Sequence, residues 1–188
     1  MKKLVILMAA MVLTAGVLQA AEPAAPVVDV AVEKAAQAEV TKVLAIQDNE
    51  KAAQQLVADV RAMYKDNDGK AAKDGLPELT LALLVKTDFE RAKVILPILF
   101  TALTEGLDLI SFERLVAASL MAAEGNANLL TTAILNGLEG KNRWIDAVMI
   151  VAKDTPRPLP GALMQSIRSL SATVLPPAVI PPGPYEGQ

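Results

Sequence analysis

The sequence contains neither cysteine nor histidine. Without a thiol or an imidazole the chain cannot build a serine-histidine-acid triad, a cysteine nucleophile, a zinc site of Cys and His ligands, or a histidine-ligated haem. The missing cysteine also rules out disulfides, and it closes the route by which exported lipoproteins are acylated at a cleavage-site thiol. Charge is not concentrated in one sign: 18 Lys and Arg stand against 21 Asp and Glu, with no basic stripe. A nucleic-acid binder takes most of its affinity from neutralising phosphates, so no nucleic-acid partner is expected. β-Branched alternation of the kind that marks strands is also absent.

The first residues do carry a pattern. Lys2 and Lys3 precede an uninterrupted apolar run from Leu4 to Val12, which continues weakly to Leu18 and ends in the small residues Ala20 and Ala21. That order is the signature of a secretory leader, and residues 1–20 are expected to be a cleavable signal peptide. The apolar run is about fifteen residues long and is followed by Glu22, Pro23 and Pro26, short of the roughly twenty residues that a membrane-spanning helix needs. No stable membrane insertion is expected after cleavage. Losing Lys2 and Lys3 leaves 16 basic against 21 acidic residues, a formal charge of −5. With no disulfide, the mature chain must hold its fold by burying apolar surface, for which 53% hydrophobic residues in the whole chain suffice.

The predicted organisation is all-α in one domain. Residues 21–29 form a spacer rich in Pro and Ala, and residues 30–66 form an N-terminal helical pair. Residues 76–174 form an aliphatic helical core, and residues 175–188 form a disordered Pro-rich tail. In the pair, Val40, Val43 and Leu44, then Ala53, Leu56, Val57, Val60, Met63 and Tyr64, recur at three- and four-residue spacing, and Asp48 and Asn49 interrupt the stripe where a second helix can be capped. The run Asp66-Asn67-Asp68-Gly69-Lys70 looks like the start of a calcium loop. The register fails, because with Gly69 sixth the first ligand position is Tyr64 and the bidentate-acid position is Gly75; a turn is expected.

Beyond Leu76 the chain becomes aliphatic and is punctuated by glycine. Pro77 suits a first helical turn. Thr87-Asp88-Phe89-Glu90 has the form of a capping box, predicting a helix that runs to Glu105 and closes at Gly106, with Pro97 bending it. Further helices are expected over residues 108–124, closing at Gly125; from Asn126 or Asn128 to Gly140; from Asn142 with Trp144, Ile145, Val148, Met149 and Ala152 on its apolar face; and around Leu163, Ile167, Leu170 and Val174. Such helices, joined by short glycine turns, pack as antiparallel neighbours in a compact irregular bundle. Phe89-Glu90-Arg91 echoes Phe112-Glu113-Arg114, and both helices end in Glu-Gly, so a stacked helical repeat resembling an α-solenoid is the alternative.

The remaining chemistry is limited to carboxylate pairs, which would need two of Glu105, Asp108, Glu113, Glu124 and Glu139 in one cleft, or to a serine-lysine arrangement. The latter would draw on Ser111, Ser119, Ser166, Ser169 or Ser171 with Lys141 or Lys153. Neither has a local motif. No catalytic, metal-binding or cofactor-binding residue is assigned, and no cofactor is expected. The expected role is non-enzymatic: an exported, periplasmic or secreted, interaction or structural component whose partner is another envelope or secreted protein. Carriage of an apolar ligand in a bundle cavity lined by Met63, Met121, Met149 or Met164 is the alternative, and a carboxylate-based hydrolase the second. Tyr185 in the proline-rich tail is a further candidate contact, since polyproline segments fit aromatic-lined grooves.

Overall fold

Short capped helices account for nearly all of the regular structure. The structure is a computed structural model that describes residues 28–65 and 74–170. The expected leader, the expected turn at Asp66–Lys70, Ser171, Val174 and the expected tail with Tyr185 lie outside the described residues. Helix α1 (Val30–Ala45) starts at Asp29, whose Oδ1 accepts from the Ala31 N–H at 2.9 Å. Helix α2 (Asn49–Lys65) starts at Asp48, which accepts from the N–H groups of Lys51 and Glu50 at 3.0 and 2.9 Å; these bonds hold its carboxyl below the ordinary value. After them come α3 (Leu76–Thr87), α4 (Phe89–Leu103), α5 (Leu109–Ala123), a 3-10 turn (Glu124–Asn126), α6 (Ala127–Gly137), α7 (Asn142–Lys153) and α8 (Gly161–Ser169). Among the described residues there is no strand, and no helix is long and apolar enough to cross a membrane.

Three local details differ from the sequence expectation. The cap of α4 is Asp88, not Thr87: the Asp88 carboxylate accepts from the Arg91 N–H at 3.0 Å, and the buried Thr87 hydroxyl finds no partner among the described residues. A carboxylate also gains from the positive end of the helix dipole, which a hydroxyl does not. After α5 the positive φ falls on Glu124 (49°), whereas Gly106 and Gly140 do take the expected left-handed turns. On α7 the buried face is Ala147, Val148 and Val151, leaving Met149 and Ala152 exposed.

Packing is governed by the helix two places along the chain. α2 lies beside α4, and α4 beside α6; α3 lies beside α5, and α1 lies across α3. Side-chain ties show the directions. Arg91, at the start of α4, donates from Nε to Asn49 Oδ1 at 2.9 Å and from Nη1 to the Leu44 carbonyl at 2.6 Å, with Nη2 on the Ile46 carbonyl. At the other end Arg61 of α2 donates to the carbonyls of Ala102 and Glu105 at 2.8 and 3.0 Å. α2 and α4 therefore run in the same direction. Phe89 and Asn126 share a cleft at one end of α4 and α6, and the Thr101 hydroxyl donates to the Gly137 carbonyl at 2.6 Å at the other, so α6 runs with them. Glu78 to Arg114 at 2.7 Å and Lys86 to Glu124 at 3.2 Å similarly align α3 with α5.

α7 still packs on the helix two places back, whereas α8 leaves this pattern. α7 crosses the first half of α5, where Trp144 sits 4.7 Å from Phe112, itself 5.3 Å from Phe100 of α4. α8 then folds back along α3. A Cβ on Gly75 would stand 2.8 Å from Leu163 Cδ1 at one end, and Lys86 donates to the Leu170 carbonyl at 3.0 Å at the other. Enclosed by α1, α4, α5 and α8, α3 has no solvent face, and every residue from Pro77 to Val85 is buried. That enclosure explains an aliphatic helix without a polar stripe. The two Phe-Glu-Arg segments fall on α4 and α5, which occupy different layers, and Phe89 is the first residue of its helix whereas Phe112 is the fourth. The echo therefore does not mark equivalent positions of the stack.

Candidate functional site

The parallel run of α2, α4 and α6 merges their outward surfaces into one groove. It has a volume of about 590 Å³, and its walls include Arg61 of α2; Pro97, Ile98 and Thr101 of α4; Gly137 of α6; and Lys141 beyond it. Its depth has a sequence cause. Gly137 carries no side chain where α6 meets α4: a Cβ there would come within 3.0 Å of both Pro97 Cβ and the Pro97 carbonyl oxygen and 3.1 Å of Thr101 Oγ1. Pro97 stays inside α4, and the Thr101 hydroxyl lies 2.7 Å from its carbonyl as well as 2.6 Å from that of Gly137, a bridge that closes the floor. Val94 and Ile98 stand 45% and 37% exposed on the same helix, so the middle of this layer presents aliphatic surface to solvent.

The electrostatics of the groove are set at one end. The C-termini of α2, α4 and α6 gather there, and each presents carbonyls that lack an intrahelical partner. Arg61 donates to the carbonyls of Ala102, in the last turn of α4, and of Glu105 just beyond it, and Lys141 donates to Thr104 Oγ1 at 2.8 Å. Both cations retain further N–H donors. Glu105 is the acid lining this groove.

The candidate catalytic residues do not converge. Asp108 caps α5, accepting from the Ser111 N–H at 2.9 Å and the Ser111 hydroxyl at 2.6 Å. Partial burial acts to raise its carboxyl, but these bonds hold it below the ordinary value. Glu124 pairs with Lys86, Glu105 and Glu139 lie exposed at helix ends, and Glu113 lines a separate cleft beside α7. Ser119 and Ser169 donate to the carbonyls of Leu115 and Ser166, both at 2.9 Å, and Ser166 Oγ accepts from the Val28 N–H at 3.4 Å. Lys153 is exposed, and Lys141 is turned to Thr104. Met63 is in the core, Met121 and Met164 are packed against it, and Met149 faces solvent.

A polar cluster that the sequence did not reveal lies where α2, α3 and α5 meet. Glu78 is 0% exposed, and its carboxylate lies 2.7 Å from Arg114 Nη2, although neither oxygen receives a well-directed hydrogen bond among the described residues. Burial pushes its carboxyl up to about 7, against the opposing pull of Arg114. The Tyr64 hydroxyl is buried beside it and is driven well above its ordinary range by burial and by the Glu78 charge. An acid in the first turn of a helix normally faces water and complements the dipole, so Pro77-Glu78 carries no local sign that α2 and α5 will bury it. No family of known proteins, no curated protein and no solved structure matches the chain.

Proposed function

We propose that the protein is an exported, non-enzymatic binding component that holds a partner in the groove across α2, α4 and α6. The observation that carries this reading is the parallel alignment of three helices two places apart in sequence, which makes one continuous face out of three. That arrangement is the one used by α-solenoid repeats, in which stacked helix pairs build a core and offer one layer to a partner. The starts of α2, α4 and α6 are spaced like those of such repeats. Export is supported by the pattern of residues 1–20.

The groove suits a protein segment that places aliphatic side chains on Val94 and Ile98 and an acidic group toward Arg61 and Lys141. Two cations face one acid in the lining, so negative charge on the partner is complementary there. Four clefts among the described residues, of about 290 to 590 Å³, all include charged side chains in their walls, which fits protein contact better than enclosure of an apolar ligand. A photo-crosslinker placed at Ile98 in cells should capture one defined envelope or secreted protein. Capture should be lost on Arg61→Glu with Lys141→Glu, and should not occur from Lys34 on α1. Equal capture from both positions, or capture indifferent to the charge reversal, would remove the groove from consideration.

A further inference from the structure

α7 packs against the first half of α5, and a second cleft of about 430 Å³ opens beside this contact. Ile110 and Glu113 of α5, Ile150 and Val151 of α7, and Asp154 and Arg157 just beyond α7 line it. Ile110 is 70% and Ile150 60% exposed. Scattered apolar residues on a surface are ordinary, but two bare isoleucines converging on one cleft are a patch that favours being covered. Around them lie two acids and one guanidinium. Arg157 and Asp154 stand 3.9 Å apart with side chains 78% and 58% exposed, a slack pair that water competes with.

We propose that this cleft is a two-fold self-association face, occupied by the same cleft of a second copy of the chain. A two-fold contact must be complementary to itself. An aliphatic centre meets that condition, and so does a rim carrying both signs: each Arg157 can exchange its loose contact with Asp154 for the Glu113 or Asp154 carboxylate of the other copy. A uniformly acidic or uniformly basic partner would meet charge of its own sign on this rim, whereas a second copy brings the matching pattern. The groove across α2, α4 and α6 lies on other helices, so the two proposals stand or fall separately.

The test is sedimentation of the full chain, recovered as the cell processes it, up to about 100 µM, where a modest interface is populated. A monomer–dimer equilibrium is expected, weakened roughly tenfold or more by Ile110→Asp, as for loss of a central apolar anchor. Arg157→Glu and the double variant Glu113→Arg with Asp154→Arg should each dimerise poorly, and an equimolar mixture of the two should regain dimer. Asp154 and Arg157 are exposed and Glu113 is half-buried at the rim, so the mixing result holds even if Ile110→Asp impairs folding. A wild-type chain that stays monomeric throughout, an Ile110→Asp variant that folds and dimerises normally, or a mixture that regains nothing would each overturn the proposal. Recovery of a different protein or an apolar molecule from the cleft of a monomeric chain would do the same.

Discussion

Glu78 offers a direct check on how α2, α3 and α5 close on one another. Its carboxyl titrates at about 7 in the fold against an ordinary 4.5, because burial penalises the charged form more than Arg114 favours it. A raised acid means that the folded state holds its proton more tightly than the unfolded chain. Below 4.5 both states are protonated and no difference arises. Between 4.5 and about 7 the unfolded chain has released a proton that the fold retains, so stability falls as pH rises. At about 1.4 kcal/mol per pH unit, the total loss across this window is on the order of 3 kcal/mol, complete above the folded value. Asp48 and Asp108, whose carboxyls are lowered, contribute stability that is lost only as pH falls below their ordinary 3.8, outside this window. Urea unfolding followed by the fluorescence of Trp144, the single tryptophan, should therefore show the wild type more stable at pH 5 than at pH 8. Glu78→Gln, which keeps the shape and removes the titration, should flatten that dependence. A wild-type stability that is level or rises between these pH values, or a Glu78→Gln variant that falls just as steeply, would refute the reasoning.

Two further substitutions probe the stack. Arg91→Ala removes a cation that ties the turn between α1 and α2 to the start of α4 through two backbone carbonyls and Asn49, and leaves those acceptors without it. A loss of about 2–4 kcal/mol is expected by urea denaturation, with Arg91→Lys recovering less than half, since an ammonium cannot reproduce the fork. Gly137→Ala would gain about 1 kcal/mol from helix propensity alone, but its Cβ meets the Pro97 carbonyl at 3.0 Å. The backbone cannot yield as a side-chain end can, so a net loss of roughly 1–2 kcal/mol is expected, visible as a lower thermal midpoint; a rise would show that α4 and α6 are free to separate.

Much of the helical order was legible in the chain. The breaks at Asp48, Asp108 and Gly140 follow from residues that satisfy helix ends with their own side chains or accept positive φ, and these are contacts within a few residues. Asp88 displacing Thr87 as the cap belongs to the same local chemistry, where two neighbouring residues compete and the charged one wins. The groove was not visible. A run without a polar side chain from Val94 to Phe100 points to enclosure, yet Val94 and Ile98 face solvent, and nothing near Arg61, Gly137 or Lys141 indicates that they face one another.

Composition and local pattern were sufficient for an all-helical chain without thiol or imidazole chemistry, because helix periodicity and capping are properties of short segments. The tertiary structure alone decided that α1 to α5 each pack on the helix two places further on, that α8 turns back to bury α3, and that Glu78 is sealed with Arg114 and Tyr64. Those outcomes depend on pairs distant in sequence, such as Lys86 with Glu124 and Thr101 with Gly137, 38 and 36 residues apart. Which apolar faces meet is settled by the summed burial of the whole core, and no single window of sequence contains that sum.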